Sequence, residues 1–309
     1  MKISRIMCTL VLIASAAAFG LFNWNHYRNM DTLGPVISMD SSDIYVSVND
    51  PQSQVMAGVT AQDAKDGDVT DLMLIEQLSS FVEEDTRIVS YAAFDRDNHV
   101  TKAQRRMIYT DYVPPHFSLS APLRFAATTG SVNYLSPIGA WDCLDGDLSS
   151  QITFATGSVV NTDTVNDYKV TLEVTNSAGD TARLPVTIVI YDSMLGNSAP
   201  TIELSDYLVY TGIGERLEPL EYISRVLYRG TEYAVTEEEG TFAVDTEGWS
   251  NWAKRQFSER EPAVNINKFA VNDMVNYQVP GTYEIQYTLS DLTGSTGRVI
   301  LTVVVEEEE

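Results

Sequence analysis

The sequence predicts an all-β protein of three tandem antiparallel β-sandwiches, preceded by a hydrophobic anchor or signal helix. Three observations carry this. Lys2 and Arg5 precede one uninterrupted apolar run, Ile6–Phe22. The motif Asp-x-x-Asp-Gly-Asp is written twice, at 63–68 and at 142–147. Segments of strict apolar/polar alternation recur at 87–111, 168–192 and 283–306, and period two is the signature of a half-buried strand.

The first element is the apolar run. Its basic flank stays inside, so the chain from about residue 30 is exported, whether the run is an uncleaved anchor or a signal cleaved near Ala18. Trp24 at its far edge suits the membrane interface. The partner expected here is the membrane, through residues 6–22 if the run is uncleaved. Residues 1–30 form this segment. It places the protein extracellularly, at a cell surface with its N-terminus cytoplasmic, or makes it a secreted protein if cleaved.

The repeats follow. Laid together, Val89, Val170 and Ile285 coincide, then Tyr91, Leu172 and Tyr287, then Ala93, Val174 and Leu289. Asp95, Asn176 and Asp291 come next, ahead of a turn and a second alternating strand. Two such strands around an Asp/Asn-Gly-type turn make a hairpin. Each repeat opens on a proline-marked break: "GPVISM" at 34, "PPHFSL" at 114, "APTIEL" at 199. Domains are therefore expected at 33–113, 114–197 and 198–306. Their size and strand rhythm fit sandwiches of the immunoglobulin kind. The third carries a longer middle, 226–269, where Ser250 could cap a short helix.

The quoted stretches "GVTAQDAKDGDVT" (58–70) and "GAWDCLDGDLS" (139–149), each followed by an alternating hairpin, resemble the bacterial Ig-like domain family of Cry22Aa-type and Gram-positive surface proteins. "VPGTYEIQYTLSDLTGSTG" (279–297) carries the resemblance for the third repeat. The resemblance implies export and stacked β-sandwiches. It implies no particular ligand, because such folds are scaffolds.

The repeated acidic motif has two readings. Calcium takes six to eight oxygens, and Asp63, Asp66 and Asp68 could converge on one ion, joined by Asp95 and Asp97 from the hairpin turn. Asp142, Asp145 and Asp147 would do the same in the second repeat. No cofactor is required by this reading, and calcium is the one candidate. The simpler reading is a turn, in which Asp accepts backbone N–H bonds and Gly takes a positive φ. The motif then recurs because the domain recurs. It is not an EF-hand, since Leu74 and Thr153 stand at the twelfth position.

The remaining residues suggest binding without catalysis. His26, His99 and His116 form no recognisable constellation with Cys143 or a serine. Trp249 and Trp252 are candidate ligand-binding aromatics for a glycan, with a glycan-acting hydrolase as the more distant alternative. A net charge of −23 repels phosphate backbones, so no nucleic acid is expected. The partner expected outside is a protein or glycan ligand at the cell surface. Lys102, Arg105 and Arg106 read as the polar face of an edge strand, Cys143 as a small buried hydrophobe, and the final acidic run as a solvated end. The functional expectation is a non-enzymatic adhesion or spacer module.

Overall fold

The computed structural model describes residues 2–29, 33–128, 132–192, 199–228, 231–238, 241–245, 270–290 and 295–307. The chain is mostly β-structure and divides into two compact units, 1–112 and 113–309.

The first unit begins with α1 (Lys2–Asn29), which is apolar over Met7–Asn25 and exposed along the described side chains there. By length and composition it can cross a membrane. Strands follow: β1 (Val36–Met39), β2 (Asp43–Val46), the one-turn α2 (Gln52–Val55), β3 (Val59–Asp63), β4 (Gly67–Asp68), β5 (Leu74–Glu83), β6 (Thr86–Phe94) and β7 (Val100–Tyr109). They form two sheets, ordered β1-β3-β4 and β2-β7-β6-β5. Alternation makes each sheet apolar on one face, and those faces share one core: Val59, Ile37 and Met39 meet Val89, Tyr91 and Met107.

The second unit repeats this plan. Strands β8 (His116–Leu119), β9 (Arg124–Ala126), β10 (Ile138–Asp142), β11 (Gly146–Asp147), β12 (Thr153–Phe154), β13 (Asn166–Thr175) and β14 (Thr181–Tyr191) form sheets ordered β8-β10-β11 and β9-β14-β13-β12. They enclose a core that includes Phe117, Ile138, Leu172 and Ile188. Then come β15 (Thr201–Leu204), β16 (Leu208–Gly212), β17 (Ile223–Tyr228), β18 (Thr231–Glu238), β19 (Thr241–Asp245), β20 (Ala270–Asp273), β21 (Gly281–Ser290) and β22 (Thr296–Glu306). Their sheets, β15-β17-β18-β19 and β16-β22-β21-β20, close on Ile202, Val226, Ile285 and Leu301. All nine core positions aligned across the repeats are buried.

Within this unit the two cores are tied together. The Tyr210 hydroxyl accepts the Phe117 N–H at 2.9 Å and lies 3.3 Å from its carbonyl, and burial pushes the phenol up to about 12. Thr187 donates to Glu284, and Arg298 meets Asp167 at 2.5 Å.

Two expectations are corrected. The sheets are not purely antiparallel. In each repeat a short strand leaves the first sheet and runs parallel to the last strand of the second, as β2 with β7, β9 with β14 and β16 with β22. A strand that crosses between sheets without reversing arrives in that direction. The basic cluster is also not one face of an edge strand. β7 lies between β2 and β6, so alternation turns Lys102 and Arg106 outward and Arg105 inward. Arg105 is buried, donates to the carbonyls of Val55 and Ala57 at 3.0 Å each, and lies over the Tyr91 ring.

Arg105 therefore satisfies the end of α2 from inside the core. Arg105→Met should destabilise the first unit by about 1–3 kcal/mol in denaturant unfolding, because the Val55 and Ala57 carbonyls lose a charged donor and Val55 keeps only the Tyr91 hydroxyl. Arg105→Lys should recover part of this only, since a single ammonium lacks the guanidinium fork. Equal stability of Arg105→Met and the parent would show that water serves those carbonyls as well.

Candidate functional site

The two Asp-Gly-Asp motifs sit at equivalent tips. In each, the first strand ends on an aspartate, turns through glycine and returns as a two-residue strand. Asp63 pairs with Gly67 across that turn, and Asp142 with Gly146. Gly67 and Gly146 have φ of 78° and 75°, a region that glycine enters without steric cost.

The carboxylates serve this geometry. Asp63 Oδ1 accepts the N–H groups of Lys65 and Asp66 at 2.8 Å each. Asp142 Oδ1 accepts those of Leu144 and Asp145 at 2.8 and 2.9 Å. The middle aspartates reach the other sheet's hairpin: Asp66 Oδ2 accepts Arg96 N–H at 2.9 Å, and Asp145 Oδ2 accepts Ser177 N–H at 2.5 Å. The third aspartates accept the first N–H of the one-turn 3-10 helices that follow, Asp68 that of Thr70 at 3.0 Å and Asp147 that of Ser149 at 2.9 Å.

Thr70 and Ser149 are a part of the tip that sequence reasoning missed. Their hydroxyl oxygens accept the N–H groups of Ala61 and Ala140 at 3.0 and 3.1 Å, tying the 3-10 turn back to the first strand. The signal was present as Asp-x-Thr and Asp-x-Ser at the same offset in both repeats.

The tips differ at one buried contact. In the second, Asn176 donates its amide to Asp142 Oδ2 at 3.1 Å. In the first, Asp95 stands at the position of Asn176, and a carboxylate has no N–H to give. Asp63 Oδ2 is buried there without a hydrogen-bond partner, in a residue only 7% exposed. Asp95 is itself 4% exposed, with Oδ1 accepting His99 N–H at 2.7 Å and Oδ2 lying 2.6 Å from His99 Nδ1. Burial works to raise the Asp95 carboxyl. The backbone and imidazole of His99 outweigh it and hold the group below the ordinary carboxylate value. Asp97 is engaged by Lys65 at 2.5 Å.

Among the described residues, no three His, Cys, Asp or Glu side chains are placed to hold a metal ion. The expected convergence of Asp63, Asp66 and Asp68, or of Asp142, Asp145 and Asp147, is not seen. Each carboxylate instead points at a different backbone segment of its own tip. The other candidates are placed as follows. Cys143 is half-buried, with its thiol donating to Val113 O at 3.1 Å, so it is a polar contact to the linker more than a core hydrophobe. His116 Nδ1 lies 2.6 Å from Pro114 O and its ring packs on Tyr210. Trp249 and Trp252, and the short helix expected from Ser250, lie outside the described residues. An aromatic that sequence reasoning passed over is Trp141 on β10, which is 56% exposed.

No family model matches the chain. A protein of Acholeplasma phage L2, described as an uncharacterized 81.3 kDa protein, is 25% identical over 207 residues, covering 66% of this chain. The chain spans 22% of that relative's length. Among solved structures, the M60 catalytic domain with two CBM51 domains from Clostridium perfringens ZmpB is 12% identical, with a TM-score of 0.20 over 90% of this chain and 31% of that one. The protocadherin GammaB4 extracellular domain is 13% identical, with a TM-score of 0.20 over 89% and 49%. A lipoprotein from Bacteroides thetaiotaomicron is 13% identical, with a TM-score of 0.21 over 61% and 98%. TM-scores this low describe no shared overall arrangement.

The tip geometry makes two predictions. Asp95→Asn copies the second tip: its amide can donate to Asp63 Oδ2 while neutral His99 accepts at Nδ1. It should raise the melting temperature of the first unit, and Asn176→Asp should lower that of the second. Opposite signs in calorimetry would show that Asp95 is needed as a charge. Asp68 and Asp147 are held below the ordinary carboxylate value by the hydroxyl and N–H of Thr70 and Ser149. A group depressed on folding contributes stability above its unfolded value, about 3.9, which is lost as pH falls through the folded value. Thr70→Val and Ser149→Ala should therefore flatten the acid limb of stability below the unfolded carboxylate value, about pH 4. An unchanged limb would assign acid sensitivity to other carboxylates.

Proposed function

We propose that the chain is an exported, non-enzymatic binding or spacer module at a bacterial cell surface. It is held at the membrane by α1 and built of three tandem Ig-like sandwiches, 33–113, 114–197 and 198–306. The observation that carries this is the succession itself. A helix apolar enough to cross a membrane stands ahead of sheets that repeat one plan, down to the same hydrogen bonds at two tips. Repetition of a scaffold with its joints preserved supports reach and presentation. The anionic surface, −23 overall, suits solubility outside the cell and repels nucleic acid.

In this reading the basic flank of α1 gives the orientation. Lys2 and Arg5 precede the span, so the sheets follow on the far side of the membrane. Spheroplasts expressing the full chain, treated with an impermeant protease, should lose everything beyond residue 30 without lysis. An amino-terminal tag should stay with the membrane if α1 is kept, and should be absent if it is cleaved. Full protection of the chain until lysis would end the export reading.

A further inference from the structure

We propose that the outward face of the β8-β10-β11 sheet is a saccharide-binding platform centred on Trp141, taking a neutral pyranose ring. This deepens the surface-binding reading and rests on it.

Trp141 occupies an outward position of β10. Its strand neighbours Ala140 and Asp142 face inward and are buried, while its indole is 56% exposed. A tryptophan left in water loses the burial that usually justifies so large an apolar side chain. The core does not need it there. At the same position of the first repeat, between Ala61 and Asp63, stands Gln62.

The surroundings of Trp141 are polar. Across the sheet it pairs with Asp147 on β11, whose carboxylate is exposed, and with His116 on β8, whose ring packs on Tyr210. Two residues along the same face is Gly139, paired with Ser118 on β8. A Cβ at Gly139 would stand 2.6 Å from Ser118 Oγ and 3.5 Å from Ser149 Oγ, so the Ser118 hydroxyl takes up the space that a side chain would need, and two hydroxyls stand at this position. The first repeat fills the same position with Thr60, opposite Ser38. The second repeat therefore departs from the first at two neighbouring outward positions, and both changes make one surface: an exposed indole beside a low patch of hydroxyls.

That surface matches a sugar. A pyranose presents an apolar C–H face and a rim of hydroxyl groups, which require a flat aromatic on one side and short polar groups at the edge. Ser118 and Asp147 can serve that edge. Ser149 already donates to Asp147 Oδ1 at 2.5 Å, which orients the carboxylate. A protein partner of ordinary interface size would need a broader apolar area than one indole among His, Ser, Gly and Asp. Charge decides the class of sugar: an acidic chain with Asp147 beside the ring repels uronic and sialic acids and accepts neutral ones.

The test uses the full chain in phospholipid nanodiscs, with maltotriose, cellotriose and N-acetylchitotriose as probes at about 5 mM, the range of weak single-platform binding. Saturation-transfer NMR should show contact with ring C–H protons of at least one probe. Trp141→Ala should abolish it, and Trp141→Tyr should retain part. Gly139→Thr, which installs the first repeat's residue and moves the Ser118 hydroxyl aside, should weaken binding by about tenfold or more while the protein still unfolds in one cooperative transition. Trp249→Ala with Trp252→Ala should leave it intact. Saturation transfer that survives Trp141→Ala, or none with any probe, would overturn the proposal. So would self-association in sedimentation that disappears in Trp141→Ala without saccharide binding, because the face would then meet protein. These outcomes are independent of protease access in spheroplasts, which tests export alone.

Discussion

A single contact between two turns organises the repeats: a carboxylate from one sheet accepting a backbone N–H from the other sheet's hairpin. Asp66 does this to Arg96 and Asp145 to Ser177. The bond can form only if the first strand ends at its aspartate, if glycine turns the chain through positive φ, and if the hairpin tip is at matching height. It thereby fixes the register in which two apolar faces meet. Charge-assisted bonds to backbone are about twice as strong as neutral ones. Placed at the end of the layers, such a bond stops the sheets from sliding where the core is thinnest.

The cores behind these tips are built alike but closed differently. Tyr91 and Tyr287 occupy the same repeat position, and each sends its hydroxyl to a carbonyl of the connecting segment, Val55 and Pro219, at 2.7 Å. Burial raises both phenols, so each stays a neutral donor. Leu172 holds that position in the middle repeat and has no hydroxyl to give. The first repeat then adds Arg105, which brings a guanidinium into the core to serve the end of α2. The same framework thus tolerates a tyrosine with an arginine, a tyrosine alone, or a leucine, provided the polar groups of the connection find donors.

Much of this was legible in the sequence because it rests on periodicity. Alternation placed Val89, Tyr91 and Ala93, and their counterparts in the other repeats, on inward faces before any strand was drawn. The aspartate motif marked the turn, since Asp-Gly has few other uses at that spacing. What stayed hidden depends on pairing between distant segments. The parallel strand pairs follow from where a strand crosses between sheets, which alternation does not encode. Arg105 looked like surface because its neighbours Lys102 and Arg106 are, although period two already put it on the opposite face from both. The carboxylates admitted both a turn and a calcium reading because aspartates cluster in sequence, and in space each accepts a backbone N–H group.

The comparison of the two tips separates what the fold requires from what it leaves free. Inward positions, the glycine, the three aspartates and the Thr/Ser hydroxyl are kept because each holds a particular backbone group or fills a particular part of the core. Asn176 and Asp95 show one such position drifting, at the cost of a buried oxygen without a donor. Outward positions carry no such demand, and there the repeats diverge in size and chemistry, from Gln62 to Trp141 and from Thr60 to Gly139. A large exposed aromatic gains nothing from the sheet beneath it, so its justification lies in what it meets from outside. The aspartates anchor the tip from which that indole projects, because β10 ends on Asp142 immediately after Trp141.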